Sequence, residues 1–269
     1  MSTIVFLGGG RITSAMLAGL RLAKTRHRLV VHDRNPGKLR DLKKRYAVAV
    51  ESDLNSALKQ ADVLIVAVRP SSVREVIHAI GNVNRALLGR TATLAVSLAA
   101  GVPLRVLNKL AGRSVRWARA MPSPVCRSGH GVTAVTFPRT LLRADRKRVH
   151  DFFASFGQVV EIPESKFDAF TVTYSCSHGY HALATLAGAA QAAGLDRNTA
   201  RLASAHALAD GIIAWRDGKH SLEALLAEAT TPGGIAAATT ARMDAAGYGR
   251  AVRQGVAAGL RRARENAGK

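Results

Sequence analysis

Aromatic side chains make up 5% of this 269-residue chain, cysteine occurs twice, and 18 acidic side chains stand against 39 basic ones. Each shortage excludes something. Two cysteines, Cys126 and Cys176, make no disulfide framework, and as free thiols they suit a reducing compartment, the cytoplasm. With so few aromatics, platforms for stacking single-stranded bases are scarce. No apolar run approaches the ~20 residues of a membrane span. The N-terminal apolar run is short and has no charged segment before it, unlike a signal peptide. The shortage of acid leaves a net charge of +21, which favours anionic ligands. The basic residues are spread along the chain and not gathered in a tail, which argues against nucleic acid. No metal site is expected.

What is present begins with Ile4-Val5-Phe6-Leu7 followed by Gly8-Gly9-Gly10. A helix-period pattern (Met16, Leu17, Leu20) starts directly after it. This reads as strand, tight turn and helix, with the helix start aiming free N–H groups and a positive dipole end at an anion. Glycine lets a phosphate approach the main chain. The match to the G-x-G-x-x-G fingerprint is imperfect, since its third position is Thr13.

Further strands are expected at Arg28–Asp33, Ala47–Val50, Asp62–Val68, Thr91–Leu98 and Val115–Ala120, alternating with helices. Such alternation means a doubly wound parallel sheet, a Rossmann-type α/β domain, set here at residues 1–161. Near the adenine ribose the signals conflict. Asp33, about 20 residues past the glycines, would accept a 2′-hydroxyl and favour NAD. Arg34, Asn35 and Lys38 would hold a 2′-phosphate and tilt the reading to NADP, with NAD possible. Past Pro163 the character changes to Ala/Leu-rich stretches at Ala182–Ala193, Arg197–Trp215, Leu222–Ala229 and Ala236–Asn266. Residues 162–269 therefore read as an all-α domain. Its faces are too apolar for one isolated layer, so a homo-oligomer, at least a dimer, is expected.

The chain resembles the pyrroline-5-carboxylate reductase family, which makes proline by reducing a cyclic imine with NAD(P)H. The resemblance rests on Phe6–Gly10, Asp33–Leu39, Ala61–Pro70, Val96–Val102, Arg119–Pro122, Gly129–Thr133 and Thr230–Gly234, in order and spacing. It implies cofactor contacts at Gly8, Gly10, Arg11, Ile12, Arg34 and Asn35, and at Ala67, Val68, Arg69 and Pro70. It also implies that Ala99, Ala100 and Gly101 lie under the nicotinamide.

The departures fall in the substrate half. Members read Met-Pro-Asn-Thr-Pro where this chain has Met121-Pro122-Ser123-Pro124-Val125. Members read Ser-Gly-Ser-Gly-Pro-Ala-Tyr where this chain has Ser175-Cys176-Ser177-His178-Gly179-Tyr180. A threonine that follows Pro-Gly-Gly in members, and binds the substrate carboxylate, is replaced by Ile235 or Ala236. The expected carboxylate site is therefore the helix start at Gly233, Gly234, Ile235 and Ala236, through the backbone N–H groups of the two glycines. The proton for the imine nitrogen has three candidate donors, Ser177, His178 and Tyr180, of which His titrates nearest neutrality. Two alternatives stand beside proline formation. One is the same hydride chemistry on another imine or a keto compound, and the other is a non-catalytic cofactor binder.

Overall fold

The computed structural model describes residues 1–86 and 93–267. It falls into two compact units, Met1–Tyr174 with Gly259–Lys269, and Ser175–Ala258. Among the described residues the first unit holds β1 (Thr3–Leu7), β2 (Arg28–His32), β3 (Ala49–Glu51), β4 (Val63–Val66), β5 (Thr93–Ser97), β6 (Val115–Met121), β7 (Val132–Thr136) and β8 (Gln158–Glu161). They form one sheet in the order β3-β2-β1-β4-β5-β6-β7-β8. Every pairing is parallel except β6 with β7. The helices of this unit are α1 (Arg11–Leu22), α2 (Pro36–Tyr46), α3 (Leu54–Lys59), α4 (Pro70–Ala86), α5 (Leu104–Ala111), α6 (Arg143–Ala154) and α7 (Glu164–Thr173).

The strands alternate their side chains between two cores, as a sheet covered on both faces requires. Phe6 joins Met16, Leu20 and Phe153 on one face, while Val5 and Leu7 join Ile77 and Trp117 on the other. The expected strands recur with small changes of bounds, and the first two residues of the one expected at Thr91–Leu98 lie outside the described residues. The last two strands carry little sequence signal: β7 overlaps the Gly129–Thr133 motif, and β8 is four residues long and partly exposed.

The boundary expected at 161/162 marks where strands end; the packing boundary comes later, after Tyr174. An ion cluster holds α7 to the sheet. Arg119 on β6, 1% exposed, contacts Glu164 at 2.8 Å and Asp168 at 3.1 Å, with its guanidinium 4.3 Å above the Phe167 ring. Val132 donates its N–H to the Tyr174 hydroxyl oxygen at 2.7 Å, fixing the end of the segment.

The second unit contains α8 (Cys176–Ala192), α9 (Arg197–Asp217), α10 (Leu222–Ala229) and α11 (Ile235–Ala245), and α12 (Tyr248–Ala267) begins in it. The stretch expected as one run over Ala236–Asn266 is two helices, because Gly247 turns the chain at φ +90°. No residue of α10 or α11 is buried, and Leu202, Ile212, Trp215, Leu222 and Leu226 are exposed. Among the described residues these apolar side chains are about half exposed. The last turns of α12 return to the first unit, where Asn266 donates its side-chain amide to the Ala100 carbonyl at 3.3 Å.

Candidate functional site

β1 ends at Leu7 and α1 starts at Arg11, so three glycines make the whole connection. Gly8 has φ +108°, and a Cβ there would stand 2.6 Å from the Ala67 carbonyl oxygen at the end of β4. Only glycine fits both the conformation and the space. The imperfect fingerprint position is explained by Thr13, whose buried hydroxyl donates to the Gly8 carbonyl at 2.6 Å and ties the turn to the helix. Gly10 caps α1 without a side chain, so the first N–H groups of the helix keep their donor capacity. A Cβ on Gly10 would meet nothing within 4 Å, so this backbone faces open space.

That space is a cleft of about 1090 Å³, the size that holds a whole small-molecule cofactor. Of the residues implied as cofactor contacts, Gly8, Gly10, Arg11 and Ile12 line it from the glycine turn. Arg34 and Lys38 line it from the β2–α2 turn, and Ala67, Val68 and Arg69 from the end of β4. Asn35 is beside it and accepts from the N–H groups of Gly37 and Lys38, capping α2. Pro70 is the first residue of α4 and is not part of the wall. Ala99, Ala100 and Gly101 also stand outside the wall; Gly101 lies against the Ala263 carbonyl on α12.

Asp33 lines the cleft with both carboxylate oxygens already engaged. Its Oδ2 accepts the Gly9 N–H at 2.8 Å and lies 3.5 Å from the Lys38 ammonium, while its Oδ1 accepts the Asn35 N–H at 2.9 Å. Burial pulls this carboxyl up, but the Asn35 and Gly9 N–H groups, with Lys38, hold it below its ordinary value. The acid that sequence position assigns to the ribose is used to pin the glycine turn.

Six cations face the cleft: Arg11, Arg34, Lys38, Arg45, Arg69 and Arg127. Arg45 and Arg127 were not anticipated. Arg45 follows Lys38 and Asp41 along one face of α2 at helical spacing, a signal the sequence did carry. Arg127 had no local signal. It reaches the cleft because α1 lies on the short 3-10 turn Pro124–Ser128, with Gly19 against the Cys126 carbonyl. Burial pushes the Cys126 thiol up to about 11, which leaves it a protonated, unreactive group.

The residues expected to handle substrate are in the second unit. Ser177, His178 and Tyr180 occupy the first turns of α8, where Ser177 and Ser175 share a hydrogen bond at 2.8 Å between their hydroxyls and Tyr180 is exposed. His178 donates its backbone N–H to the Ser175 carbonyl at 3.1 Å. At the start of α11 one of the two expected glycine donors is engaged within the chain. Gly234 donates its N–H to the Thr231 carbonyl at 3.0 Å, closing a turn, with Gly233 at φ +77°. The N–H groups without intrahelical partners are then those of Ile235, Ala236 and Ala237. The hydroxyls of Thr239 and Thr240, further along the helix, donate to the carbonyls of Ile235 and Ala236, while the Thr231 hydroxyl lies beside Gly234.

Residues 3–92 match the family model described as NADP oxidoreductase coenzyme F420-dependent, and residues 164–266 match the one described as pyrroline-5-carboxylate reductase dimerisation. A pyrroline-5-carboxylate reductase of Corynebacterium melassecola is 29% identical over 92% of this chain and 92% of its own length. One from Mycobacterium tuberculosis is 28% identical over 98% of this chain and 97% of its own. A crystal structure of the Plasmodium falciparum pyrroline carboxylate reductase with NADP bound superposes with a TM-score of 0.86 over 99% of this chain and 98% of that one, at 20% identity. Over nearly its whole length the chain is similar to pyrroline-5-carboxylate reductases in sequence, and it shares their fold.

Proposed function

We propose that this protein reduces pyrroline-5-carboxylate to proline with NADPH. The observation that carries the reading is the cleft beside the glycine turn, where unpaired helix N–H groups and six cations converge on space suited to a dinucleotide. Arg11 and the N-terminal N–H groups of α1 would hold the pyrophosphate, and Arg34 with Lys38 the 2′-phosphate. The bound cofactor supplies a hydride to the imine carbon. The free N–H groups at the start of α11 would hold the substrate carboxylate and orient that carbon. Ser177, His178 and Tyr180 are the candidates for delivering the proton to nitrogen. Asn35 serves by capping α2, and Ala99–Gly101 are kept as the nicotinamide end by family likeness. Residues 162–269 would mediate dimerisation, supported by the exposed apolar faces of α9 and α10. Light scattering at micromolar concentration should report at least a dimer. The two free cysteines fit a cytoplasmic protein.

The test is NADPH oxidation with pyrroline-5-carboxylate and a panel of cyclic imines, with proline as the identified product. Arg34→Ala should weaken NADPH by ~1.5–3 kcal/mol and leave NADH nearly unchanged. A second reading, another cyclic imine as substrate, is favoured by Ile235 and Ala236 standing where members carry a hydroxyl. Turnover of another imine with none of pyrroline-5-carboxylate would select it.

A further inference from the structure

We infer that Glu75 on α4 sets the balance between NADPH and NADH, by occupying Arg34 until a 2′-phosphate displaces it. The inference rests on the dinucleotide reading of the cleft. Three acids line that cleft: Asp33, Asp41 and Glu75. Asp33 is engaged by two backbone N–H groups and a lysine. Glu75 differs from it in kind. It comes from α4, and its two oxygens lie 3.4 and 3.5 Å from Nη1 of Arg34. The side chains are 76% and 67% exposed, so the pair is worth little to the fold and its partners are free to exchange.

A phosphate brings close to two negative charges and three acceptor oxygens to a guanidinium, a better partner than one long-range carboxylate. Arg34 therefore turns from Glu75 to the 2′-phosphate when NADPH binds. The released carboxylate then stands beside that phosphate and opposes it. With NADH there is no such contest: the pair persists, and the carboxylate is an acceptor at the ribose end of the cleft. Glu75 thus lowers affinity for NADPH and supports NADH. This function falls to the acid of α4 because the Asp33 carboxylate is already engaged by the N–H groups of Gly9 and Asn35.

The test is a cycle of wild type, Glu75→Gln, Arg34→Ala and the double variant of the full chain, with NADPH and NADH dissociation constants measured by titration. Thermal melts should be unchanged for Glu75→Gln. That variant should tighten NADPH by about three- to tenfold, with NADH unchanged or weaker. In the Arg34→Ala background the gain should shrink, because no guanidinium remains to be released. An unchanged or NADH-directed ratio in Glu75→Gln, or an equal gain in both backgrounds, overturns the inference while leaving the dinucleotide reading intact. A wild-type protein that binds neither cofactor overturns both.

Discussion

The carboxylate of Asp33 accepts the N–H of Gly9 at 2.8 Å, joining the turn that follows β1 to the end of β2. Its other oxygen accepts from Asn35, so one side chain holds both the glycine turn and the start of α2 in place. Two backbone segments that would meet the pyrophosphate and the adenine ribose are thereby fixed to each other.

Asp33→Ala should therefore weaken NADPH and NADH alike, by ~1.5–3 kcal/mol, as expected when charged hydrogen bonds that shape the site are lost. A loss confined to NADH would show instead that Asp33 meets the ribose. The pH dependence has a definite sign. Because the folded carboxyl lies below its ordinary value, its stabilisation is present above the unfolded value of ~3.9 and lost as pH falls through the lower folded value. The stability difference between wild type and Asp33→Asn should narrow only in that acid window, as read by urea unfolding at stepped pH.

Gly101→Ala should destabilise the fold by ~3 kcal/mol or more. The residue has φ +78°, which costs an L side chain ~1–2 kcal/mol, and the added Cβ would collide with the Ala263 carbonyl on α12. Relief of that clash would push the end of α12 off the loop and break the contact of Asn266 with Ala100. A change in unfolding free energy under ~1 kcal/mol would mean that α12 does not close on this loop.

Arg119→Met should cost ~3–5 kcal/mol, because it removes the partner of two carboxylates packed around a buried guanidinium. Asp168→Asn should cost less, since Glu164 still pairs with Arg119 and still accepts the Leu104 N–H at 3.0 Å. Chemical denaturation ranks the two. The reverse order would place the weight of the cluster on Asp168.

Much of this was legible in the sequence, and for physical reasons. Strand β4 reads as a continuous apolar run because it is buried on both faces, and the glycine turn is visible because Gly8 has no substitute. The role of Asp33 was not legible. Spacing puts it at the end of β2, but only the fold shows that its carboxylate accepts the Gly9 N–H. Arg127 was invisible because its approach depends on α1 lying against a 3-10 turn more than a hundred residues away in sequence. Likewise Arg119 and α7 meet only through tertiary packing, which is why the change of composition near Pro163 precedes the packing boundary. At α11 the sequence shows the glycines but not that the Thr231 carbonyl takes up the Gly234 N–H.

The last prediction concerns that helix start. Ile235, 89% exposed, and Ala236 offer backbone N–H groups but no hydroxyl, and Thr239 and Thr240 donate to carbonyls of their own helix. A substrate carboxylate docked there would lack one hydrogen bond that members of the family supply. One bond to a charged group is worth ~1.5–3 kcal/mol, or roughly ten- to a hundredfold in affinity. Activity on pyrroline-5-carboxylate should accordingly show a raised KM compared with a member that carries the threonine. Ala236→Thr should lower KM toward that member's value with kcat little changed, because the added bond forms to the ground state and transition state alike. Ala237→Thr, one residue on, serves as the positional control and should not lower KM. If the unmodified protein already matches the threonine-bearing member in KM, the carboxylate is held elsewhere and the start of α11 is not its site.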